Sequence, residues 1–380
     1  MKLLVVSHPC ATAANQRLYA TMQSLSGWQV TLVIPANWKD EFGNRLDEAT
    51  LTDRVLKVPV LMNGNIIFHV YQKRWGDFLR KEQFDAIYLH HEPYALATAQ
   101  VCFANQRQSN PAAFGFYTAQ NIAKRYPFPF SFLEKAVYRA STFAFPITEA
   151  VAGVLSSKGY KGAATVCPLP VELERYRPRG ATEDRAMIPR DEEQVIIGYV
   201  GRFVEVKGLR TFALALCEIG HLPWKLVMIG KGEFEMEFHE ILRSRGLAGR
   251  VEFLGYIPHD ETPRYLSAFD LLVLPSETQP NWKEQFGRVI TESLACGTPV
   301  IGSNSGEIPN LIKSSDGGLV FSEKNVMQLA DALKTMIGNP ELRIQKAAQG
   351  MAWVKAHISL QAVARKMADT ISAAAKKKNP

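Results

Sequence analysis

The sequence predicts an α/β protein of two domains, each built on an open, mostly parallel sheet, with a cleft between them. Three observations carry this. At 380 residues the chain is too long for one ordinary core and suits two domains. Short β-branched runs alternate with helical stretches in both halves, the pattern of βαβ units. Between the halves, Val171 to Gln194 carries many charges and two prolines without a sustained period, and reads as an inter-domain connection. The first domain is placed at 1–172, the linker at 173–194 and the second domain at 195–358.

In the first half, Leu3–Ser7 reads as a strand, Asn15–Leu25 as a helix and Trp28–Ile34 as a second strand. Asp85–His91, rich in Ile, Tyr and Leu, is a further strand, followed by a helix at Ala95–Gln106. Phe114–Thr118 and Phe145–Thr148 are the remaining strand candidates. In the second half, Val195–Val200 is an apolar strand, Gly208–Glu218 a helix, Trp224–Ile229 a strand and Phe234–Arg245 a helix. Val251–Leu254, Leu271–Leu274 and Val300–Ile301 follow as strands, then helices at Val326–Ile337, Glu341–Ala356 and Ser359–Ala375.

Composition narrows the class. With 47% hydrophobic and 21% charged residues the chain reads as a soluble globular protein. The opening apolar run, Leu3–Val6, is stopped by Ser7, His8 and Pro9, so it is no signal peptide. No apolar stretch approaches the roughly 18–20 residues needed to span a bilayer. The five cysteines are scattered with no C-x-x-C pair, which favours reduced thiols in a cytoplasm over disulfides or a zinc site. The net charge of +7 fits phosphorylated ligands, an anionic membrane face or simply a solvated surface. No RNA-binding aromatic signature or zinc finger points to nucleic acid.

In such sheets ligands bind at the carboxyl ends of the strands. The strand ending at Val200 runs into G-R-F-V-E-V-K-G, where Gly201 lets a ligand approach and Arg202 and Lys207 flank the next helix. A helix N-terminus with two cations suits a phosphate, although a surface turn with incidental basic residues reads alike. The strand ending at Ile229 runs into Gly230-Lys231-Gly232, a second glycine turn. After Leu271–Leu274 come Pro275-Ser276 and a polar loop that leads to E-Q-F-G-R-V-I-T-E, residues 284–292. Phe286, Val289, Ile290, Ser293 and Leu294 recur at helical spacing, so a helix starts near Gly287 and stops at Gly297. Glu284 then precedes the helix and Glu292 lies two turns inside, with the amides of Phe286 and Gly287 between them. A polyhydroxylated ligand carrying phosphates fits: carboxylates accept from vicinal hydroxyls, and amides, Arg and Lys hold the phosphates. The competing reading takes Glu292 as a solvated helix residue and Glu284 as a favourable N-terminal charge.

Taken together, G-R-F-x-x-x-K-G, G-K-G, L-P-S and E-Q-F-G-R-V-x-x-E-S-L-A-C-G-x-P-V-I resemble the donor half of the retaining glycosyltransferases of family 4. The acid pair resembles that family's E-x7-E motif. H-H-E-P-Y-A-L-A-T-A (90–99) and N-I-A-K-R-Y-P-F (121–128) resemble its N-terminal half more loosely. The resemblance implies the GT-B fold, two Rossmann-like domains facing a central cleft, with a last helix at 359–380 returning to the first domain. It implies that Arg202 and Lys207 bind the donor diphosphate, Glu292 the ribose, and Glu284 the sugar hydroxyls with the Phe286 and Gly287 amides. The base would lie near Gly230 and Tyr256. His90, His91, Tyr117 and Asn121 fall on the acceptor side.

The family needs no metal and no cofactor beyond the nucleoside-diphosphate-sugar donor, and no D-x-D or His-rich cluster stands in this sequence. Departures fall in the first half. The loop His8–Ala14 lacks the glycine pair of many relatives, Phe116–Gln120 lacks a histidine they carry, and Pro168-Leu169-Pro170 replaces their Asn-Gly turn. The implied activity is retaining hexosyl transfer to a glycan, a lipid-linked or a small-molecule acceptor. It would proceed in the cytoplasm, with Lys124, Arg125 and neighbouring aromatics available for peripheral contact with a membrane face. The alternatives are a nucleotide-sugar epimerase of the same fold and a binding protein that has lost catalysis. A dinucleotide oxidoreductase lacks its G-x-G-x-x-G.

Overall fold

The computed structural model describes residues 1–40, 43–45, 51–178, 188–189, 191 and 193–378. Residues 179–187, 190 and 192 of the stretch read as a linker lie outside them. The chain divides into two compact units, Met1–Pro170 with Leu360–Pro380, and Val171–Ser359.

Unit 1 contains β1 (Lys2–Val6), β2 (Gln29–Pro35), β3 (Trp38–Asp40), β4 (Gly43–Arg45), β5 (Arg54–Val58), β6 (Val60–Leu61), β7 (Val70–Tyr71), β8 (Ala86–Leu89), β9 (Ala113–Thr118), β10 (Phe143–Pro146) and β11 (Ala163–Ala164). Its helices are α1 (Ala13–Ser26), α2 (Trp75–Glu82), α3 (Leu96–Gln106), α4 (Phe130–Ala140), α5 (Glu149–Ser157) and the C-terminal helix Leu360–Lys378. The main sheet is parallel, in the order β11-β10-β9-β8-β1-β2-β5. Alternation along β1 assigns its two faces. Leu3 and Val5 pack with Tyr19 and Met22 of α1 and with Val363, Met367 and Ile371 of the C-terminal helix. Leu4 and Val6 pack with Trp75 and Leu79 of α2, Val101 of α3 and Val137 of α4. Both faces are covered, which explains why the strands read as continuous apolar runs rather than alternating ones.

Unit 2 contains β12 (Val195–Val200), β13 (Trp224–Ile229), β14 (Val251–Gly255), β15 (Leu271–Leu274), β16 (Val300–Ser303) and β17 (Gly318–Phe321). Its helices are α6 (Leu209–Glu218), α7 (Glu235–Arg243), α8 (Thr262–Ala268), α9 (Arg288–Ala295), α10 (Ile308–Ser315), α11 (Val326–Gly338) and α12 (Pro340–His357). Its sheet is also parallel, in the order β14-β13-β12-β15-β16-β17. Phe212, Phe238, Leu329 and Leu333 cover one face, packed on Ile197 and Tyr199 of β12.

The stretch from Val171 to Pro178 is not a linker. Val171 and Tyr176 are each buried and belong to unit 2. Its charges hid this, because Tyr176 is the one large side chain that the stretch turns inward. β5, β17 and the helices α2, α4, α5, α8 and α10 were also missed.

Candidate active site

In each sheet the chain runs outward from the centre in one direction and then restarts in the other. The reversal falls between β12 and β15 in unit 2, and between β1 and β8 in unit 1. The crevice outside such a reversal is where open α/β sheets place their ligands.

In unit 2 the loops after β12 and β15 meet. Gly208, φ +65°, lies so close to the second loop that a Cβ would stand 1.9 Å from the Pro275 carbonyl oxygen. The Glu277 amide donates to the Val206 carbonyl at 2.8 Å, tying the loops a second time. Gly230 does the same for the neighbouring loop: at φ +138° its Cβ would stand 1.9 Å from the Gly201 carbonyl oxygen. The two glycine turns of the sequence are therefore packing requirements, which also leave main chain open to a ligand.

This contact delivers Lys207 to Glu284. The Lys207 Nζ lies 2.6 Å from Glu284 Oε2, and the Ser276 hydroxyl donates to the same oxygen at 2.9 Å. The two side chains are 14% and 13% exposed, so solvent screens the pair weakly. The Trp282 ring lies 5.2 Å from the same ammonium. The backbone of Glu284 is fixed from a third loop, where the Glu307 amide donates to its carbonyl at 3.2 Å and Gly306 packs directly against it. Arg202 stands exposed on the turn after β12.

The helix α9 begins at Arg288, with Gly287 as its N-cap at φ +75°. Glu284 therefore lies outside the helix, and helical geometry does not relate it to Glu292. Phe286 is buried beneath the turn. Glu292 is buried too, at 6% exposure, which removes the solvated reading. Its Oε1 accepts from Arg288 Nε at 2.8 Å. Burial raises the carboxyl above the ordinary range, against the opposing pull of Arg288, Tyr176 and Arg175. Tyr256 is 57% exposed just beyond β14, and the Gly230 amide donates to the Gly255 carbonyl at 2.8 Å. The two loops expected to hold a base are thus neighbours. Sequence reasoning gave Ser276 no role, although it stands in the quoted L-P-S, and missed Trp282 and Gly306.

In unit 1, His90 and His91 follow β8 and turn opposite ways, as strand alternation requires. The His90 Nδ1 lies 2.9 Å from the Tyr19 hydroxyl and 3.3 Å from that of Ser7, with the Tyr117 ring edge-on at 4.8 Å. Burial lowers its pKa to about 4. His91 faces His8 instead, Nδ1 to Nδ1 at 2.8 Å. His69, just before β7, completes a group of three imidazoles. The sequence showed no His-rich cluster because these residues come from three separate segments; the fold assembles one. Asn121 is buried. Glu92 is a further residue the sequence did not single out. Burial pushes its carboxyl up to about 7, and Oε1 accepts from the Ala119 amide at 2.8 Å. No helix among the described residues is long and apolar enough to cross a membrane.

Comparison with known proteins agrees with this layout. The chain is 29% identical over 220 residues to a GDP-mannose-dependent α-(1-6)-phosphatidylinositol monomannoside mannosyltransferase of Mycobacterium tuberculosis, covering 56% of this chain and 57% of that one. The match thus spans little more than half the length of that curated relative. Among solved structures, a sucrose-phosphate synthase from Thermosynechococcus elongatus superposes with TM-score 0.71 at 20% identity, over 97% of this chain and 98% of that one. Anabaena HepE in complex with UDP superposes with TM-score 0.74 at 15% identity, over 98% and 100%. These likenesses and the two parallel sheets establish the GT-B fold with its two Rossmann-like domains. Residues 181–351, which carry Arg202, Lys207, Glu284 and Glu292, match the family model of glycosyl transferases group 1.

Proposed function

We propose that the protein is a retaining glycosyltransferase of family 4, which moves a hexose from a nucleoside-diphosphate sugar to a hydroxyl acceptor. The observation that carries this is the Lys207–Glu284 pair at the reversal of the unit 2 sheet, next to the N-terminus of α9 and the buried Glu292. One cation, one sugar-directed carboxylate and a helix N-terminus meet where a diphosphate and its sugar would lie. The likeness to group 1 glycosyl transferases and to a GDP-mannose-dependent enzyme supports the donor class.

In this reading Lys207 and Arg202 meet the negative charge that grows on the leaving diphosphate. A hydrogen bond to such a group contributes about 1.5–3 kcal/mol. Glu284 accepts from hydroxyls of the sugar and opposes positive charge developing on the ring. Glu292, held by Arg288, accepts from the ribose. The acceptor hydroxyl attacks on the face from which the diphosphate leaves, and a donor phosphate oxygen takes its proton. The protein supplies orientation and electrostatics rather than a nucleophile, and no metal takes part.

On unit 1 the loop before α4 exposes Lys124, Arg125 and Phe128, and supports an acceptor that is lipid-linked at a membrane face. The test is transfer from labelled nucleotide sugars, chosen after a thermal-shift panel of nucleoside diphosphates. Stabilisation by one diphosphate, followed by transfer with retained anomeric configuration, is expected. Conversion of the nucleotide sugar without an acceptor would select an epimerase instead.

A further inference from the structure

At the reversal of the unit 1 sheet, His8 follows β1 and His91 follows β8, and His69 closes over them from the segment before β7. The three ring centroids lie 4.8–5.4 Å apart. One nitrogen from each ring falls within 4.8 Å of the other two. His69 and His91 are essentially inaccessible, and His8 is half-buried.

The hydrogen bonds fix which nitrogens converge. His69 donates Nδ1–H to the Asn65 carbonyl at 2.9 Å, which leaves the lone pair on Nε2. That Nε2 is buried and has no hydrogen-bond partner. A buried acceptor without a partner costs about 1–3 kcal/mol, so it calls for an explanation. His91 has its Nε2 3.5 Å from the Tyr71 hydroxyl and turns Nδ1 toward His8. His69, with its outer N–H held by a carbonyl and its inner nitrogen bare, is arranged as metal ligands are, and a metal would displace the proton that His91 Nδ1 and His8 Nδ1 share at 2.8 Å. Burial keeps all three rings below the usual imidazole range, in the neutral form that ligates.

We propose that His69 Nε2, His91 Nδ1 and His8 Nδ1 form a binding site for one borderline divalent transition-metal ion, zinc above all. Three imidazoles suit zinc, cobalt, nickel or copper and do not suit magnesium or calcium, which take oxygen ligands. Zinc–nitrogen bonds of about 2.0–2.1 Å set ligand nitrogens about 3.4 Å apart in a tetrahedron. The nitrogens, all within 4.8 Å of one another, reach that spacing when the His8 and His91 Nδ1 atoms part slightly from their present 2.8 Å and His69 draws in. Three protein ligands leave a fourth position for a water or a hydroxyl-bearing ligand. The site belongs to unit 1 and does not rest on the donor chemistry assigned to unit 2.

The experiment is a cobalt(II) titration of chelator-treated, tag-free protein, followed by visible absorption and then by zinc back-titration. One equivalent should give the ligand-field bands of four-coordinate cobalt, and zinc should bleach them. His8→Gln and His69→Gln should each weaken binding by more than the roughly 10–100-fold typical of an outer-shell loss. His239→Gln, at an exposed histidine, should leave the titration unchanged. Thermal unfolding of each variant reports whether it folds, and the rim position of His8 keeps the test available if His69→Gln does not. Absence of a saturable cobalt spectrum, or binding equal in wild type and His8→Gln, overturns the site.

Discussion

Lys207 and Glu284, seventy-seven positions apart in the chain, form a 2.6 Å ion pair on the loops that leave adjacent central strands of one sheet. The resemblance gave these residues different parts of the ligand, diphosphate for one and sugar for the other. On the proposed function one crevice serves both, and each side chain compensates the other until a ligand carries its own charge into the site. Glu284→Gln therefore keeps the size and an acceptor oxygen but releases Lys207. Affinity for the free nucleoside diphosphate should stay level or tighten. Turnover should fall by about 100-fold or more, the scale of losing one preorganised electrostatic group. Steady-state kinetics beside calorimetry separates the two, and near-normal turnover would remove Glu284 from the reaction.

Lys207→Ala acts on the other half of the pair. On the proposed function its ammonium serves the phosphates as a point charge. Affinity for a nucleoside diphosphate should drop by about 10–100-fold, the equivalent of one charged hydrogen bond. Affinity for the bare nucleoside should hardly change. Equal losses for both ligands in calorimetry would contradict the assignment.

Much of this was legible in the sequence, and the reasons differ by element. The loops of unit 2 were found because each follows an unbroken apolar strand and contains glycine, so Gly201, Gly230 and Gly287 mark turns by themselves. What glycine excludes was not legible: only the fold shows that Gly208 faces the Pro275 carbonyl and Gly306 the Glu284 backbone. Glu292 was ambiguous in one dimension, since one of its partners is Tyr176, which arrives from a stretch that reads as a linker. The imidazole group of unit 1 was invisible for the same reason, because His8, His69 and His91 have no common spacing.

Gly208→Ala tests the contact that brings the loops together. A left-handed backbone at an L-residue costs on the order of 1–2 kcal/mol, and the overlap with the Pro275 carbonyl adds to it. A loss of about 3 kcal/mol or more in urea unfolding is expected, together with weakened nucleotide binding. Gly249→Ala in the same unit, where a Cβ meets nothing within 4 Å, serves as the control and should be close to neutral. Equal effects of the two substitutions would remove the steric argument.

Glu292 gives a pH dependence with a defined sign. Burial raises its folded pKa above the ordinary glutamate value. Above that value the unfolded chain has released a proton that the folded chain still holds, so the folded state binds more protons. Stability from this group is then largest at low pH and declines as pH climbs from the unfolded value through the folded one. Glu292→Gln removes the decline. The urea midpoint of the variant should gain on wild type as pH rises through that window, and a difference that stays flat or shrinks would speak against the assignment.

Nucleotide binding should survive excess chelator. Among the described residues the group of histidines able to hold an ion lies in unit 1, whereas Lys207, Arg202 and the amides of α9 suffice to neutralise a diphosphate. Calorimetry with and without chelator should return the same affinity. A loss restored by magnesium or manganese would show that a cation bridges the phosphates.

The acceptor side can be tested at the loop before α4. Lys124 and Arg125 are exposed there, and Phe128 presents 83% of its surface to solvent. Phe132, on the first turn of α4, adds a second aromatic at 56% exposure. Tyr126 packs on Tyr94 and Phe130 packs edge-on to Phe68, whereas Phe128 and Phe132 stay open, and it is their exposure beside two cations that favours a surface that meets something apolar and anionic. Each cation near an anionic bilayer contributes about 1 kcal/mol, so reversing both should weaken membrane binding by at least about 30-fold. Phe128→Ala should weaken it on neutral and anionic vesicles alike, because its contribution is apolar burial rather than charge. Co-sedimentation with anionic vesicles at low salt, comparing wild type, Lys124→Glu/Arg125→Glu and Phe128→Ala, reads both effects. Wild type that stays in the supernatant, or a double variant that pellets equally well, would turn the assignment toward a soluble glycan or small-molecule acceptor.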